Sequence, residues 1–347
     1  MAQRKSKGRK ARRRSGLRLL SFRSGIVLAV VLVLWGFAGE WYVHHSNRWL
    51  AQKRQAWTPL VDETLRLLGD PLADLTDGLG LTGHDAIYDY DLPAPAGKVL
   101  FAGAPLRTGA PAPKDIRMID RGEFLIGWSD TLRHPVWCAY HVVPKATFPT
   151  GDRPGFSRDR EVPAAPRPDA YKNSGYDRGH MVPNYAIVTR YGTDAQRSTF
   201  LMSNIAPQTA SLNRGVWREI ELRIADLWTA RYGEIWVVVG CISPQRENPE
   251  TLPGTDVDVP TQFYQVVIAQ EGLQVRAFAV LFDQQTDWRD WPARHLITID
   301  ELESLTGLDF NPGLPAFIQD PLESELPSRL WPVRPLDTID QFLIRYQ

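Results

Sequence analysis

Hydrophobic and polar positions along the chain fall into regions with different periods. Gly25 to Gly39 carries no charge, and extending it to Val43 gives 19 residues. As a helix this segment is about 28 Å long, near the roughly 30 Å of a bilayer core. Trp35, Trp41 and Tyr42 cluster at its far end, where aromatic rings favour the membrane interface. From 46 to 78, Trp49, Leu50, Trp57, Leu60, Val61, Leu65 and Leu68 recur at three- and four-residue spacing, which predicts a helix. From Phe124 the pattern changes to short apolar runs. Phe124–Trp128 and Val136–Val143 flank Arg133-His134-Pro135 as in a hairpin. Ile235–Val239, Phe263–Ile268 and Val275–Leu281 are rich in β-branched and aromatic residues, as buried strands are. Between them, Val216, Trp217, Ile220, Ile224, Leu227 and Trp228 recur every three or four residues up to Gly233, a helix with its stop. Thr298-Ile-Asp-Glu301 is a capping box that opens a last helix, closed by Gly307.

Strands mixed with a few helices, without regular βαβ alternation, imply an α+β fold with a largely antiparallel sheet. The Pro- and Gly-rich stretch 92–113 and the polar stretch Pro144–Lys172 read as loops. A loop as long as the second is uncommon in a compact domain and is often functional. The organisation expected is a basic tail (1–23), an apolar anchor (24–43), a helical stalk and linker (44–94), a main domain (95–320) and a C-terminal extension (321–347).

Charge changes this picture at one end. The 347 residues hold 40 basic and 40 acidic side chains, a formal net of zero. Residues 1–23 hold ten of the basic groups and no acidic one, so the remainder carries 30 against 40, a net of −10. Ten cations beside an apolar helix place it as a single N-terminal transmembrane helix with the tail in the cytoplasm and the main domain outside, periplasmic or extracellular. A cleaved signal peptide is the rival reading, with Gly36-Phe37-Ala38 as a small-residue site. Two cysteines, Cys138 and Cys241, allow at most one internal bridge and exclude a multi-cysteine metal site. Buried free thiols are the default for them. Because the body is acidic, a polyanion must be bound by a local basic cluster rather than by bulk charge.

The candidate chemistry lies between 176 and 221. Asp177-Arg178-Gly179-His180 puts an anion, a permanent cation and a group titrating near neutrality within four residues. Arginine suits a phosphate through its planar fork, and histidine suits proton abstraction from water. Asn204, Gln208 and Asn213 follow, the last just before an amphipathic run, at an expected N-cap. Its carbonyl oxygen is a hard donor able to hold Mg²⁺. Glu221 lies eight residues on, about 12 Å along a straight helix. Taken singly, such residues are usually solvated or capping. Together they are not ordinary. Asp-Arg-Gly-His alone should occur by chance in on the order of one chain in a thousand of this length, and an ordered Asn-x-x-Pro-Gln-x-x-x-Leu-Asn-x-Gly-x-Trp follows it.

In these motifs the chain resembles the DNA/RNA non-specific endonucleases, the ββα-metal nucleases, over roughly residues 95–310. The resemblance implies a ββα-metal nuclease fold with strands ending near His180 and at Phe200–Met202, and a helix from Asn213. It implies that His180 is the general base, that Asn213 is the single direct protein ligand of a hydrated Mg²⁺ (Mn²⁺ being an alternative), and that Glu221 holds the water shell of that ion. Arg178 would lie near the scissile phosphate, Asn204 and Gln208 would position the catalytic loop, and Asp177 and Gly179 would support the site. Arg214 stands where glutamine is frequent and is a further substrate-binding candidate. Arg133 is offered for a second phosphate arginine that cannot be aligned, and the basic loop Arg153–Arg160 is a weaker echo. The expected protein is a membrane-anchored, sugar-non-specific endonuclease. Its expected partners are DNA, RNA and, through residues 24–43, the lipid bilayer, with a homodimer open. The alternative is a nuclease-like membrane protein that binds polyanions without cutting.

Overall fold

The computed structural model describes residues 88–89, 98–144, 146–243, 248–271 and 274–331. The basic tail, the apolar anchor, the helix placed at 46–78 and all of the stalk except Tyr88–Asp89 lie outside the described residues. Among the described residues no helix is long and apolar enough to cross a membrane. The strands are β1 (Tyr88–Asp89), β2 (Leu106–Arg107), β3 (Arg117–Asp120), β4 (Phe124–Ser129), β5 (His134–Val142), β6 (Asp177–His180), β7 (Ile205–Gln208), β8 (Ile235–Ile242), β9 (Gln262–Glu271), β10 (Gln274–Asp283), β11 (Leu296–Ile297) and β12 (Leu308–Asp309). The helices are α1 (Asn184–Thr199), α2 (Ala210–Arg214), α3 (Val216–Leu222), α4 (Thr229–Tyr232), α5 (Ile299–Thr306) and α6 (Ala316–Ser324), with a π-helical turn at Arg223–Trp228 between α3 and α4.

An eight-stranded antiparallel sheet runs β1-β10-β9-β8-β5-β4-β3, with β11 paired to β10. Both faces of this sheet are covered, so its central strands are apolar on both sides. All nine residues of β5 are buried, which explains why these strands read as continuous apolar runs rather than alternating ones. One face packs Trp217, Ile220, Ile224 and Trp228 from the helical segment against Phe263, Phe278 and Phe282. The other carries Phe101, Trp137, Tyr264 and Phe310 with Leu302 of α5 and Ile318 of α6. The hairpin expected around Arg133-His134-Pro135 is present as β4–β5. Thr298 caps α5 by accepting a hydrogen bond from the Glu301 amide, and Gly307 ends it in the left-handed region. Cys138 and Cys241 are both free and buried.

Three features depart from the sequence reading. Helix α1 lies in a stretch whose pattern gives no helical signal. It is broken at Gly192, and its buried side includes Thr189, Gln196 and Arg190, so its contacts are partly polar. Arg190, for example, donates to the carbonyls of Ala225 and Val143. The single helix expected from Asn213 to Gly233 is divided at Gly215 and again by the π-helical turn. The expected domain limit at 320 falls inside α6, and Trp331 beyond it is buried against Trp228, Tyr232 and Phe278.

Candidate active site

The site is built on a second, two-stranded sheet. β6 pairs antiparallel with β7, matching Asp177 to Gln208 and His180 to Ile205. The second strand is therefore Ile205–Gln208 rather than Phe200–Met202, which leads into a 3-10 turn at Met202–Asn204. Thr209 follows β7 and caps α2, its hydroxyl accepting from the Leu212 amide. Asn213 is consequently inside α2 and is not the N-cap. The cap went to the residue whose hydroxyl and amide are also tied to Gln284, at 2.6 and 2.9 Å.

Asp177 organises the end of β6 nearest α2. Its carboxylate accepts Asn213 Nδ2 at 3.0 Å, and Nε and an Nη of Arg214 at 2.7 Å each. Burial opposes ionisation here, but the bonds from Arg214 and Asn213 hold this carboxyl below the usual range. A carboxylate only accepts, so it selects the amino side of the Asn213 amide and turns the carbonyl oxygen away, available to a cation. That neutral hard oxygen suits Mg²⁺ or Mn²⁺, and a carboxylate such as that of Glu221 is the same class of donor. Arg214 is mainly a partner of Asp177, although its side chain is 71% exposed. Glu221 lies on α3, across the break at Gly215, so a straight-helix separation of 12 Å does not describe its position relative to Asn213. Burial pushes its carboxyl up to about 8, against the lowering influence of Trp217, Arg218 and Arg153.

At the other end of β6, His180 sits between two aromatic rings. Phe156 is 5.2 Å and Phe200 4.9 Å from its ring centre. Burial, and then the positive charge of Arg153, push its pKa down to about 3. Its Nε2 is buried and has no hydrogen-bond partner among the described residues. The imidazole is therefore neutral with an unengaged nitrogen; as it stands it is a weak base, and a phosphate anion beside it would raise its pKa toward the range useful for taking a proton. Two arginines stack outside the rings, Arg178 at 4.6 Å from the Phe156 centre and Arg153 at 5.5 Å from that of Phe200. Arg153 acts electrostatically on both His180 and Glu221, so the three side chains share one neighbourhood.

Arg153 was legible only as a member of the basic loop. The loop is pinned by backbone bonds from Ser157 to Phe200 and from Met202 to Ser157, both 3.0 Å. It is pinned also by buried Asp159, which receives Arg121 and Ser203. No local pattern announces which of its arginines those anchors direct inward. Arg133, by contrast, sits at the β4–β5 turn with φ 59° and pairs with Asp256 at 3.0 Å. The structure shows no contact between it and the His180 cluster.

Asn204 and Gln208 act on the backbone around His180. Asn204 is fully buried; its Nδ2 donates to the carbonyls of Val182 and Thr199, and its Oδ1 accepts the Val182 amide, each at 3.0 Å. That clasp fixes the chain just after His180 and leaves the side chain no part in bond making. Gln208 lies over Gly179, where a Cβ would come within 2.1 Å of its Oε1. A side chain at position 179 would force the buried Gln208 side chain to move. His134, read as structural, is buried and touches Ser243, Asp258 and Cys241. Among the described residues the three-carboxylate group with metal-like spacing is Asp300, Glu303 and Glu323, on α5 and α6 rather than beside His180.

With this geometry in view, comparison with known proteins is specific. The sequence model of the DNA/RNA non-specific endonucleases matches residues 102–317, more than half of the chain. The mitochondrial nuclease EXOG of Xenopus laevis is 30% identical over 212 residues, covering 54% of this chain and 56% of that protein. A nuclease of Nostoc sp. is 29% identical over 225 residues, covering 61% and 79%. The nuclease of Serratia marcescens is 28% identical over 220 residues, covering 60% and 79%. The chain thus spans about half the length of the EXOG proteins it matches. A crystal structure of an EndoG/EndoGI complex contains a chain with the same fold, at TM-score 0.52 and 22% identity, covering 60% of this chain and 91% of that one. The length of the family match and the shared fold agree: the chain belongs to the DNA/RNA non-specific endonuclease family.

Proposed function

We propose that this protein is a divalent-metal-dependent, sugar-non-specific endonuclease that hydrolyses phosphodiester bonds of DNA and RNA. The observation that carries the reading is the pairing of functions along β6. A neutral His180 with an unengaged Nε2 stands at one end, and at the other Asp177 orients the Asn213 carbonyl outward. His180 takes the proton from the attacking water. Arg153 and Arg178 face the phosphate, held in place by Phe200 and Phe156. A Mg²⁺ or Mn²⁺ ion held by Asn213, with Glu221 supporting its hydration, would supply charge stabilisation for the phosphate and the departing 3′ oxygen. Products would carry 5′-phosphates. Contacts directed to phosphate imply little base preference and binding that weakens with salt. The roles given to Asn204, Gln208, Asp177 and Gly179 are positioning roles.

The same reading keeps the anchor. Ten cations followed by the apolar run 24–43 support a single-span protein whose nuclease domain faces away from the cytoplasm. The test uses the full-length protein in detergent, with plasmid and with RNA. Cleavage that chelator removes and magnesium restores, and that His180→Ala abolishes, is the expected result. Chelator-insensitive retention of nucleic acid without any product would favour the non-cutting alternative. Alkaline carbonate extraction that released the intact chain from membranes would overturn the anchor.

A further inference from the structure

The geometry points to a base-stacking subsite at Trp288 and Arg289, contiguous with the segment that carries Asn213; this rests on the nuclease reading and extends it to how a nucleic-acid strand is seated. The loop after β10 docks on α2 through several anchors. Gln284, itself buried, donates to the carbonyls of Pro207 and Pro260 at 2.9 Å and accepts from the Thr209 amide at 2.9 Å. Ser211 donates to the Thr286 carbonyl at 2.9 Å. The loop then crosses Gly215 so closely that a Cβ there would lie 2.4 Å from the Trp288 Cα. Gly215 is two residues from Asn213 and forms the break between α2 and α3. The closeness of this crossing therefore fixes the Trp288 backbone against the break between α2 and α3, two residues along the chain from Asn213.

Trp288 as a whole remains 37% exposed on this support. The exposed Arg289 guanidinium lies 4.6 Å from its ring centre, and the Arg289 amide is capped by Asp287. An indole and a guanidinium stacked together present planar surfaces that a nucleobase can join. Asp283 and Asp287 are exposed on the same loop and disfavour a phosphate there. The group accommodated is therefore a base rather than a phosphate. A stacked base tolerates any sequence, as a non-specific nuclease requires, and needs an unpaired or frayed strand.

The test measures binding and cleavage of single-stranded oligonucleotides by the full-length protein in detergent. One oligonucleotide bears all its bases, and the other has a run of abasic sites around its centre. The wild-type protein should prefer the base-bearing strand. Trp288→Ala should weaken that strand roughly 5- to 150-fold and erase the preference, as loss of one aromatic–base stack does. Trp288→Phe should retain most of the preference, which separates lost stacking from a disturbed loop. A full base-bearing preference persisting in Trp288→Ala would overturn the subsite. If the wild-type protein cuts neither strand, the nuclease reading fails, and fluorescence anisotropy of the same oligonucleotides still decides the stacking.

Discussion

Removing the Asp177 carboxylate should raise the metal concentration needed for half-maximal cleavage about tenfold. Asn213 can present either its oxygen or its nitrogen outward, and the bond from Nδ2 to Asp177 at 3.0 Å selects between them. A hydrogen bond to a charged acceptor contributes about 1.5–3 kcal/mol net. Asp177 is 20% exposed, so the lower end, about 1.5 kcal/mol, applies, and that corresponds to roughly a factor of ten. Asp177→Ala should show the full effect. Asp177→Asn keeps a neutral acceptor and should show a smaller one. Arg214→Ala is the control, because it leaves the Asn213 bond in place and deletes an ion pair whose arginine is 71% exposed, worth less than about 1 kcal/mol. The assay is initial rate of plasmid relaxation against free Mg²⁺, with calorimetry of metal binding alongside. Asp177→Ala with an unchanged metal requirement would refute the orienting role, as would Arg214→Ala shifting that requirement as much as Asp177→Ala does.

Other consequences are equally specific. His180 has its pKa pushed down to about 3 from an ordinary 6.5, so the folded state binds fewer protons than the unfolded one in that window, and stability should fall as pH drops from about 6.5 to 3; His180→Ala should flatten this slope in urea titrations. Glu303 and Glu323 are pushed up to about 7 and about 8, chiefly by burial. The folded state binds more protons than the unfolded one between the ordinary 4.5 and these raised values, so stability should decline as pH rises from about 4.5 to about 8, and Glu323→Gln should lessen the decline in Tm. Trp331 packs edge-on against Trp228, Tyr232 and Phe278, and Trp331→Ala should lower the unfolding free energy by about 3–5 kcal/mol, so a protein truncated at residue 320 should be markedly less stable.

Much of the fold was legible because it rests on local patterns. The apolar runs at 124–128, 136–143, 235–239, 263–268 and 275–281 fall on five of the eight strands of the large sheet. Thr298 and Gly307 mark the ends of α5 as their side-chain and backbone chemistry requires. Helix α1 was not legible, since its buried face mixes Ile187 and Val188 with Thr189, Arg190 and Gln196. Those residues are made burial-compatible by partners distant in sequence, such as Ala225 and Val143 for Arg190. The cap at Thr209 in place of Asn213 has the same origin: both residue types cap well, and Gln284, some 75 positions away, decides between them.

By itself the sequence singled out the residues of the candidate site: a histidine, an asparagine, an acid and an arginine in an order too specific for chance. It also determined the sheet, since burial on both faces leaves an apolar run that short-range pattern reveals. Tertiary structure alone decided which arginine attends the histidine. Arg133 and Arg153 lie equally outside any helix or strand period. Only the anchoring of the 153–161 loop at Ser157 and Asp159 brings Arg153 to Phe200 and within electrostatic reach of His180, while Arg133 is drawn to Asp256. Side-chain identity is written locally. Charge proximity depends on how distant segments pack, and the physical effect of an arginine on a neighbouring base falls with a distance that no sequence spacing records.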